Sequence, residues 1–368
     1  MTGQLGQERA EPSVSLRARR SIARSLGHGL AFDRIGAVYV WIALIVVFSI
    51  WAPHTFPTVS TVKQVVNTYA ITGIAALAIT IPLSARVFDL SFAYVINLCG
   101  VAVAYFVVHG VGLVGAVVLA LLVGLGMGVV NGFVIVVMKI DSFIGTLATG
   151  ALIQALVLLI TNDTPVNDVR LTQDFAKIAQ TSLDGWTLPV IYLLAVALFV
   201  WYLLERTATG RRLYATGFNT DAARLAGVRV ARLRFGSLLV SGLFSGATGI
   251  VLASTVGSGS PEVGTPYLLP VFAGAFLGAT QLRGGRFNAG GTVIAVMLLG
   301  TGVTGLSLVG AHAWAQTMFV GVVLIASLAV TGVQRRGAAG ARARLLRRML
   351  GRDEPAGAAS TAGPVVDT

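Results

Sequence analysis

Residues 187–240 read TLPVIYLLAVALFVWYLLERTATGRRLYATGFNTDAARLAGVRVARLRFGSLLV: an apolar run, a basic polar stretch, and the start of a second apolar run. Seven arginines (Arg206, Arg211, Arg212, Arg224, Arg229, Arg232 and Arg234) fall between positions 205 and 234. A basic connection between two apolar runs belongs on the cytoplasmic face of a bilayer. Any topology must therefore place 205–234 inside.

The same pattern extends in both directions. A helix needs about 20 mostly apolar residues to cross a bilayer core. Such runs lie at about 35–52, 65–81, 90–108, 113–138, 143–161, 187–204, 235–255, 266–282, 288–308 and 313–332. The expected fold class is an all-α polytopic membrane protein of about ten transmembrane helices. With the N-terminus inside and the spans alternating, 24 of the 27 Lys and Arg lie on the cytoplasmic side. Only Lys63, Arg170 and Lys177 remain outside. Both the N- and C-termini are then cytoplasmic. Residues 1–34 and 333–368 are expected to be disordered basic tails that meet anionic lipid headgroups. The membrane domain runs from 35 to 332. Trp41, Trp51, Trp186, Trp201 and Trp314 lie near span ends, as an interfacial belt would place them.

Composition excludes most other classes. Of 368 residues, 55% are hydrophobic and 11% charged, against about 25% charged in a soluble domain. Mean hydropathy is +0.81. Soluble enzymes and nucleic-acid binders do not fit. The net charge of +12 reflects membrane topology rather than a nucleic-acid partner. One cysteine, Cys99, gives neither a disulfide nor a metal pair.

The chemistry of the spans is neutral. No GxxxxGK[ST] stretch occurs, and the four histidines are scattered, so neither a phosphate-binding loop nor HExxH is present. No catalytic constellation or metal set is found. Mid-span polar groups are mostly Asn67, Asn97, Asn131, Gln154, Gln316, Ser and Thr. Ion-coupled carriers usually need charges at mid-membrane. Such charges are nearly absent here, so uphill transport would draw its energy from another subunit. An uncharged path suits a polar, uncharged solute. Small residues at Gly124, Gly128 and Gly132, at Gly242 and Gly246, and at Gly274 and Gly278 predict close helix packing. Spans 2–5 and 7–10 begin on opposite sides, which permits an inverted repeat, although no residue-level match joins them.

Within 205–234, Gly210, Tyr214, Ala215, Gly217, Asn219, Ala222, Ala223, Gly227 and Val228 match a pattern. It resembles the cytoplasmic coupling segment of the permease subunits of ATP-binding-cassette importers, in the ribose-type and branched-chain-amino-acid-type family. Four other stretches resemble that family in order. They are Phe88-Asp89-Leu90-Ser91; Asn131-Gly132 with Lys139 and 143–149 (FIGTLAT); Ser241-Gly242 with Gly246, Ala247 and Gly249; and 277–292 (LGATQLRGGRFNAGGT). The departures are Arg86-Val87 before the Asp-Leu-Ser, Phe92-Ala93-Tyr94 after it, Ala279, and Asn288. Phe92 and Tyr94 replace small residues and would reshape a path near the inner gate.

The resemblance implies an importer of two permease chains, homodimeric or heterodimeric, two ATPase subunits and an extracytoplasmic solute-binding protein, in a bacterial plasma (inner) membrane. This chain would need no cofactor, because ATP would bind the ATPase. The implied ATPase-coupling residues are Gly210, Tyr214, Gly217, Asn219, Asp221, Ala222, Ala223, Arg224 and Gly227. Asn219 or Asp221 would cap a short helix. Leu225, Ala226 and Val228 would enter a groove on the ATPase, and a charge at Ala223 would break that docking. Candidate path or gate residues are Asp89, Ser91, Phe92, Asn97 and Asn131, with Asp89 and Ser91 also readable as helix caps. A sugar is the implied solute; nucleosides, other polyols and branched-chain amino acids stay open. The rivals are a secondary carrier or facilitator working without an ATPase, and a membrane-embedded enzyme.

Overall fold

The structure is a computed structural model that describes residues 36–282 and 285–330. Both basic tails and Arg283 lie outside the described residues. Among the described residues, seven helices are long and apolar enough to cross a membrane. They are α2 (Val59–Ser84), α4 with its π-turn (Leu113–Val137), α5 (Ser142–Thr161), α7 with its π-turn (Leu188–Arg206), α10 (Val230–Val256), α12 (Ala289–Leu308) and α13 (Ala313–Val330). Three shorter apolar helices occupy the other expected positions: α1 (Gly36–Trp51), α3 (Phe92–Val108) and α11, which with its leading 3-10 turn spans Thr265–Thr280. The small helices are α6 (Lys177–Gln180), α8 (Ala208–Phe218) and α9 (Thr220–Leu225). A two-stranded hairpin, β1 (Ser182–Leu183) and β2 (Trp186–Thr187), completes the fold. The chain is thus an all-α polytopic membrane protein.

Burial separates centre from rim. The apolar windows of α2 and α10 are 78% and 61% buried, those of α4, α7 and α13 only 22%, 22% and 11%. Exposed Val, Leu, Ile and Phe on the rim suit hydrocarbon rather than water. The centre packs closely because α4 and α10 meet glycine to glycine. A Cβ on Gly124 would lie 2.7 Å from the Gly242 carbonyl, and one on Gly128 would lie 2.7 Å from that of Leu238. Helix α10 packs on α3 and α4, while α2 packs on α11 and α12. The two four-helix sets therefore meet through corresponding partners. Trp41 donates from its indole N–H to the Thr301 hydroxyl at 2.8 Å and ties α1 to α12.

Helices α3 and α11 are short because part of each crossing is not helical. At the end bearing α8 and α9, hereafter the basic end, α2 stops at Ser84 and Arg86 turns at φ 57°. Residues 87–90 then re-enter the body without helical structure. Val87, Asp89, Leu90 and Ser91 are all buried. At the far end, Gly257 turns at φ 74° after α10. The chain doubles back along α3: Gly259 packs on Val101 and Ala104, and Gly264 reaches Ala93 and Asn97. The levels Val101 and Asn97 differ by about 6 Å of helix rise. Irregular backbone at membrane depth is tolerated where protein or a polar cavity satisfies it. Both segments meet that condition.

Candidate functional site: two re-entrant segments and a basic cap

The segment at the basic end is held by a buried polar network. Asp89 Oδ1 accepts from the Ser91 amide at 3.1 Å and the Ser91 hydroxyl at 2.6 Å. Its Oδ2 accepts from the Ser241 hydroxyl of α10 at 2.7 Å. Asn131 of α4 donates to Ser91 Oγ at 2.6 Å, and Thr149 of α5 donates to Asn131 Oδ1 at 2.6 Å. Asp89 is 2% exposed and Ser91 is fully buried. A carboxylate there is tolerable only because three donors face it. The backbone is held too: Phe88 N–H donates to the Ser142 hydroxyl and Leu90 N–H to that of Thr146. Phe92 is buried and packs edge-on against Phe272 with ring centres 5.8 Å apart.

Three expected gate residues, Asp89, Ser91 and Asn131, thus form one network, and Phe92 adjoins it. Ser91 stands at the α3 N-cap position but makes no side-chain cap bond; Asp89 takes its amide instead. Thr149 and Ser241 complete the network. Both stand in motifs quoted above, but nothing in a linear sequence says that they face Asp89 and Asn131.

Asn97 belongs to a second cluster nearer the far end. Its Nδ2 donates to Gln154 Oε1 at 3.0 Å and Thr265 Oγ1 at 3.3 Å, and its Oδ1 accepts from the Gly264 amide at 2.6 Å. Gln154 donates in turn to the Pro261 carbonyl at 3.1 Å. Two amides therefore pin the second re-entrant segment. Beside them lies a cavity of about 450 Å³ lined by Tyr94, Gln154, Glu262, Thr265 and Pro266.

Beneath the first segment sits the basic cap. Asn219 caps α9, its Oδ1 accepting from the amides of Asp221 and Ala222 at 3.1 and 3.0 Å. Gly227 at φ 80° follows in the left-handed conformation that ends such helices. Helix α8 is amphipathic: Gly210, Leu213 and Thr216 are buried, while Arg211, Arg212 and Phe218 are exposed. Gly217 rests on the last turn of α2, where a Cβ would run into the Ser84 carbonyl. The Tyr214 hydroxyl donates to the Phe287 carbonyl at 2.6 Å, and the Arg286 guanidinium lies over the rings of Tyr214 and Phe218. Asn288, another departure from the family pattern, caps α12 through the Gly291 amide. It also donates to the carbonyls of Gly278, Gln281 and Arg286.

Of the expected coupling residues, Asp221, Ala222 and Arg224 are exposed, and Asp221 pairs with Arg224 at 3.4 Å. Ala223 is only 5% exposed and points into the chain. A charge there disturbs the chain's own packing, so Ala223 is not the position to probe a docking surface. Leu225, 91% exposed, is that position. Ala226 is also exposed and Val228 half-buried.

Residues 61–328 match the family model for the permease component of the branched-chain amino acid transport system. The chain is similar to the ribose import permease protein RbsC of Bacillus subtilis, 31% identical over 293 residues, 80% of this chain and 91% of that protein. It is 30% identical to RbsC of Escherichia coli strain K12, over 78% of this chain and 90% of that one. With the L-arabinose transport system permease protein AraH of the same strain it shares 32% identity, over 86% and 95% respectively. No solved structure matches the chain. The matched region holds both re-entrant segments, the cavity and the basic cap, and the chain belongs to the family of branched-chain-amino-acid-type transport system permease components.

Proposed function

We propose that this chain is the membrane-spanning subunit of an ATP-binding-cassette importer that moves a small neutral sugar into a bacterial cell across the plasma membrane. The permease family match over residues 61–328, with about 30% identity to ribose and L-arabinose permeases over 80% and 86% of the chain, carries this reading. The basic end is the cytoplasmic end, with ten spans and both termini inside. ATP binds and is hydrolysed on separate ATPase subunits, so the chain needs no cofactor of its own. A second permease chain completes the path, and an extracytoplasmic binding protein delivers the solute at the far end.

The packing supports one route for the coupling step. The ATPase grips the exposed face of α8 and α9, where Leu225 supplies the apolar contact and Arg211, Arg212 and Arg224 meet acidic groups. Gly217 transmits displacement to Ser84 at the end of α2. The re-entrant segment begins just beyond, at Ala85. Moving that segment breaks the Asp89–Ser241 and Ser91–Asn131 bonds and opens the inner side. Tyr214 carries the same motion to the loop before α12. The first re-entrant segment then acts as the inner gate.

The decisive experiment is gentle purification of the tagged chain from its native membrane, with mass spectrometry of its companions. A co-purifying ATPase subunit, with ATP-dependent sugar uptake after reconstitution with the binding protein, supports the proposal. A chain that emerges alone and transports without ATP is a secondary carrier or facilitator.

A further inference from the structure

We propose that the cavity at the broken α11 crossing is a binding subsite for one ring of a neutral polyhydroxylated solute, reached from the far end. The assignment deepens the import reading and rests on it for the direction of access. The cavity's volume, about 450 Å³, falls within the usual range for small-molecule sites, roughly 300–1,000 Å³. Its lining combines three chemistries. Tyr94 offers an aromatic face, which packs on the C–H face of a sugar ring. Among the described residues, Glu262 has no ion-pair partner, so its carboxylate is available to accept from sugar hydroxyls. Thr265 Oγ1 accepts from Asn97, which leaves its own proton to donate outward.

The wall is built rather than incidental. Asn97 and Gln154 use their amide groups on each other, on Gly264 and on Pro261, and so fix the cavity's shape. Tyr94 lies against α5 at Gly150, where a Cβ would meet the ring at 2.5 Å. The start of a discontinuous crossing helix is where transporters place a solute. One carboxylate without a cationic neighbour disfavours anionic solutes and zwitterions with a carboxylate of their own.

Thiol protection tests the subsite. Cys99 is fully buried and is the chain's one cysteine, so Pro266→Cys places a single reachable thiol on the cavity wall. The full chain in nanodiscs is treated with a small maleimide, alone and with D-ribose, L-arabinose, D-allose or L-leucine. The expected result is ready labelling, slowed at least about fivefold by one of the sugars and not by L-leucine. Adding Glu262→Gln or Tyr94→Ala should raise the half-protecting sugar concentration about tenfold. Tyr94→Phe, which keeps the ring, should leave it within about threefold. A thiol that never reacts, no protection by any sugar, or protection by L-leucine alone overturns the assignment. Labelling needs no ATPase. Absent sugar protection in a chain that co-purifies with an ATPase defeats the subsite alone, whereas protection in a chain that emerges without one defeats the import reading alone.

Discussion

The two re-entrant segments do the same topological job with opposite materials. Residues 85–91 enter from the basic end and are fixed by a carboxylate, three hydroxyls and an amide, all buried. Residues 257–264 enter from the far end and are fixed by neutral amides and backbone groups, with the paired bonds of Val166 and Gly259 bracing them. The first packs against aromatic rings, Phe88 lying 6.3 Å from both Phe143 and Phe276, while the second borders a cavity. A charge whose hydrogen bonds must all be exchanged together makes a two-state element. A partly open wall whose carboxylate, Glu262, has no ion-pair partner among the described residues makes a place to bind. On the proposed function, the first segment gates and the second borders the solute subsite.

The largest expected effect tests that difference directly. Asp89→Ala strands the Ser91 and Ser241 donors in an apolar interior, at about 1–3 kcal/mol for each unsatisfied group. Reconstituted uptake should fall at least about 100-fold, with a clear loss of thermal stability. Asp89→Asn keeps the shape but exchanges an acceptor for a donor facing Ser241, and uptake should fall about tenfold with a smaller stability change. Asn97→Ala removes three bonds between neutral groups at the other segment. It should be milder in stability, at about 1–2 kcal/mol. Equal losses for Asp89→Ala and Asn97→Ala, or full uptake in Asp89→Asn, would erase the distinction.

The next effect concerns how the basic cap reaches the first segment alone. Gly217→Ala places a methyl against the Ser84 backbone, which cannot yield as a side-chain tip would. Solute-stimulated ATPase activity should drop about tenfold while the chain still inserts and still binds its ATPase. Leu225→Glu should do the reverse. With its side chain almost fully exposed, it should abolish ATPase co-purification and leave the melting temperature of the isolated chain unchanged. Ala223→Glu, buried, should lower that temperature. If Ala223→Glu is thermally silent and Leu225→Glu is destabilising, the face assigned to the ATPase is inverted.

Much of this was legible in residue order alone. Apolar run length located the described helices to within about six residues at each end, because hydrocarbon thickness admits few alternatives. The glycine spacing announced close packing, because small residues four apart share a face, but which helices would meet, α4 and α10, was not in it. The re-entrant segments were harder. Residues 85–91 and 257–264 read as ordinary connections, since short apolar stretches look alike whether they lie outside the body or return into it. Their depth is set by partners distant in sequence: Ser241 for Asp89, Asn97 for Gly264. Asn97 and Asn131 were visible as polar groups in apolar runs, but which network each joins depends on packing. Ala223 shows the same limit, because a matched position does not say which way a side chain faces.

The smallest effect probes the far-end loop, which rests on the second segment and, on the proposed function, faces the binding protein. Its charges largely neutralise one another: Asp168 pairs with Arg170, Asp174 with Lys177, and Lys63 with Asp184. Lys63 also donates to the Asp184 carbonyl and lies over the Trp186 ring, while Asn67 bonds Gly185 and Thr187. This clamp holds the hairpin on α2, yet it is solvent-accessible and open to screening. Lys63→Ala should therefore cost less than about 1 kcal/mol, with the difference shrinking at high salt. Uptake from saturating binding protein should not change, because neither re-entrant segment touches Lys63. A rise in the binding-protein concentration needed for half-maximal uptake, at constant maximal rate, would make the hairpin part of the delivery surface. A fall in the maximal rate would mean that the clamp restrains α2 itself, and that the outer end also works the inner segment.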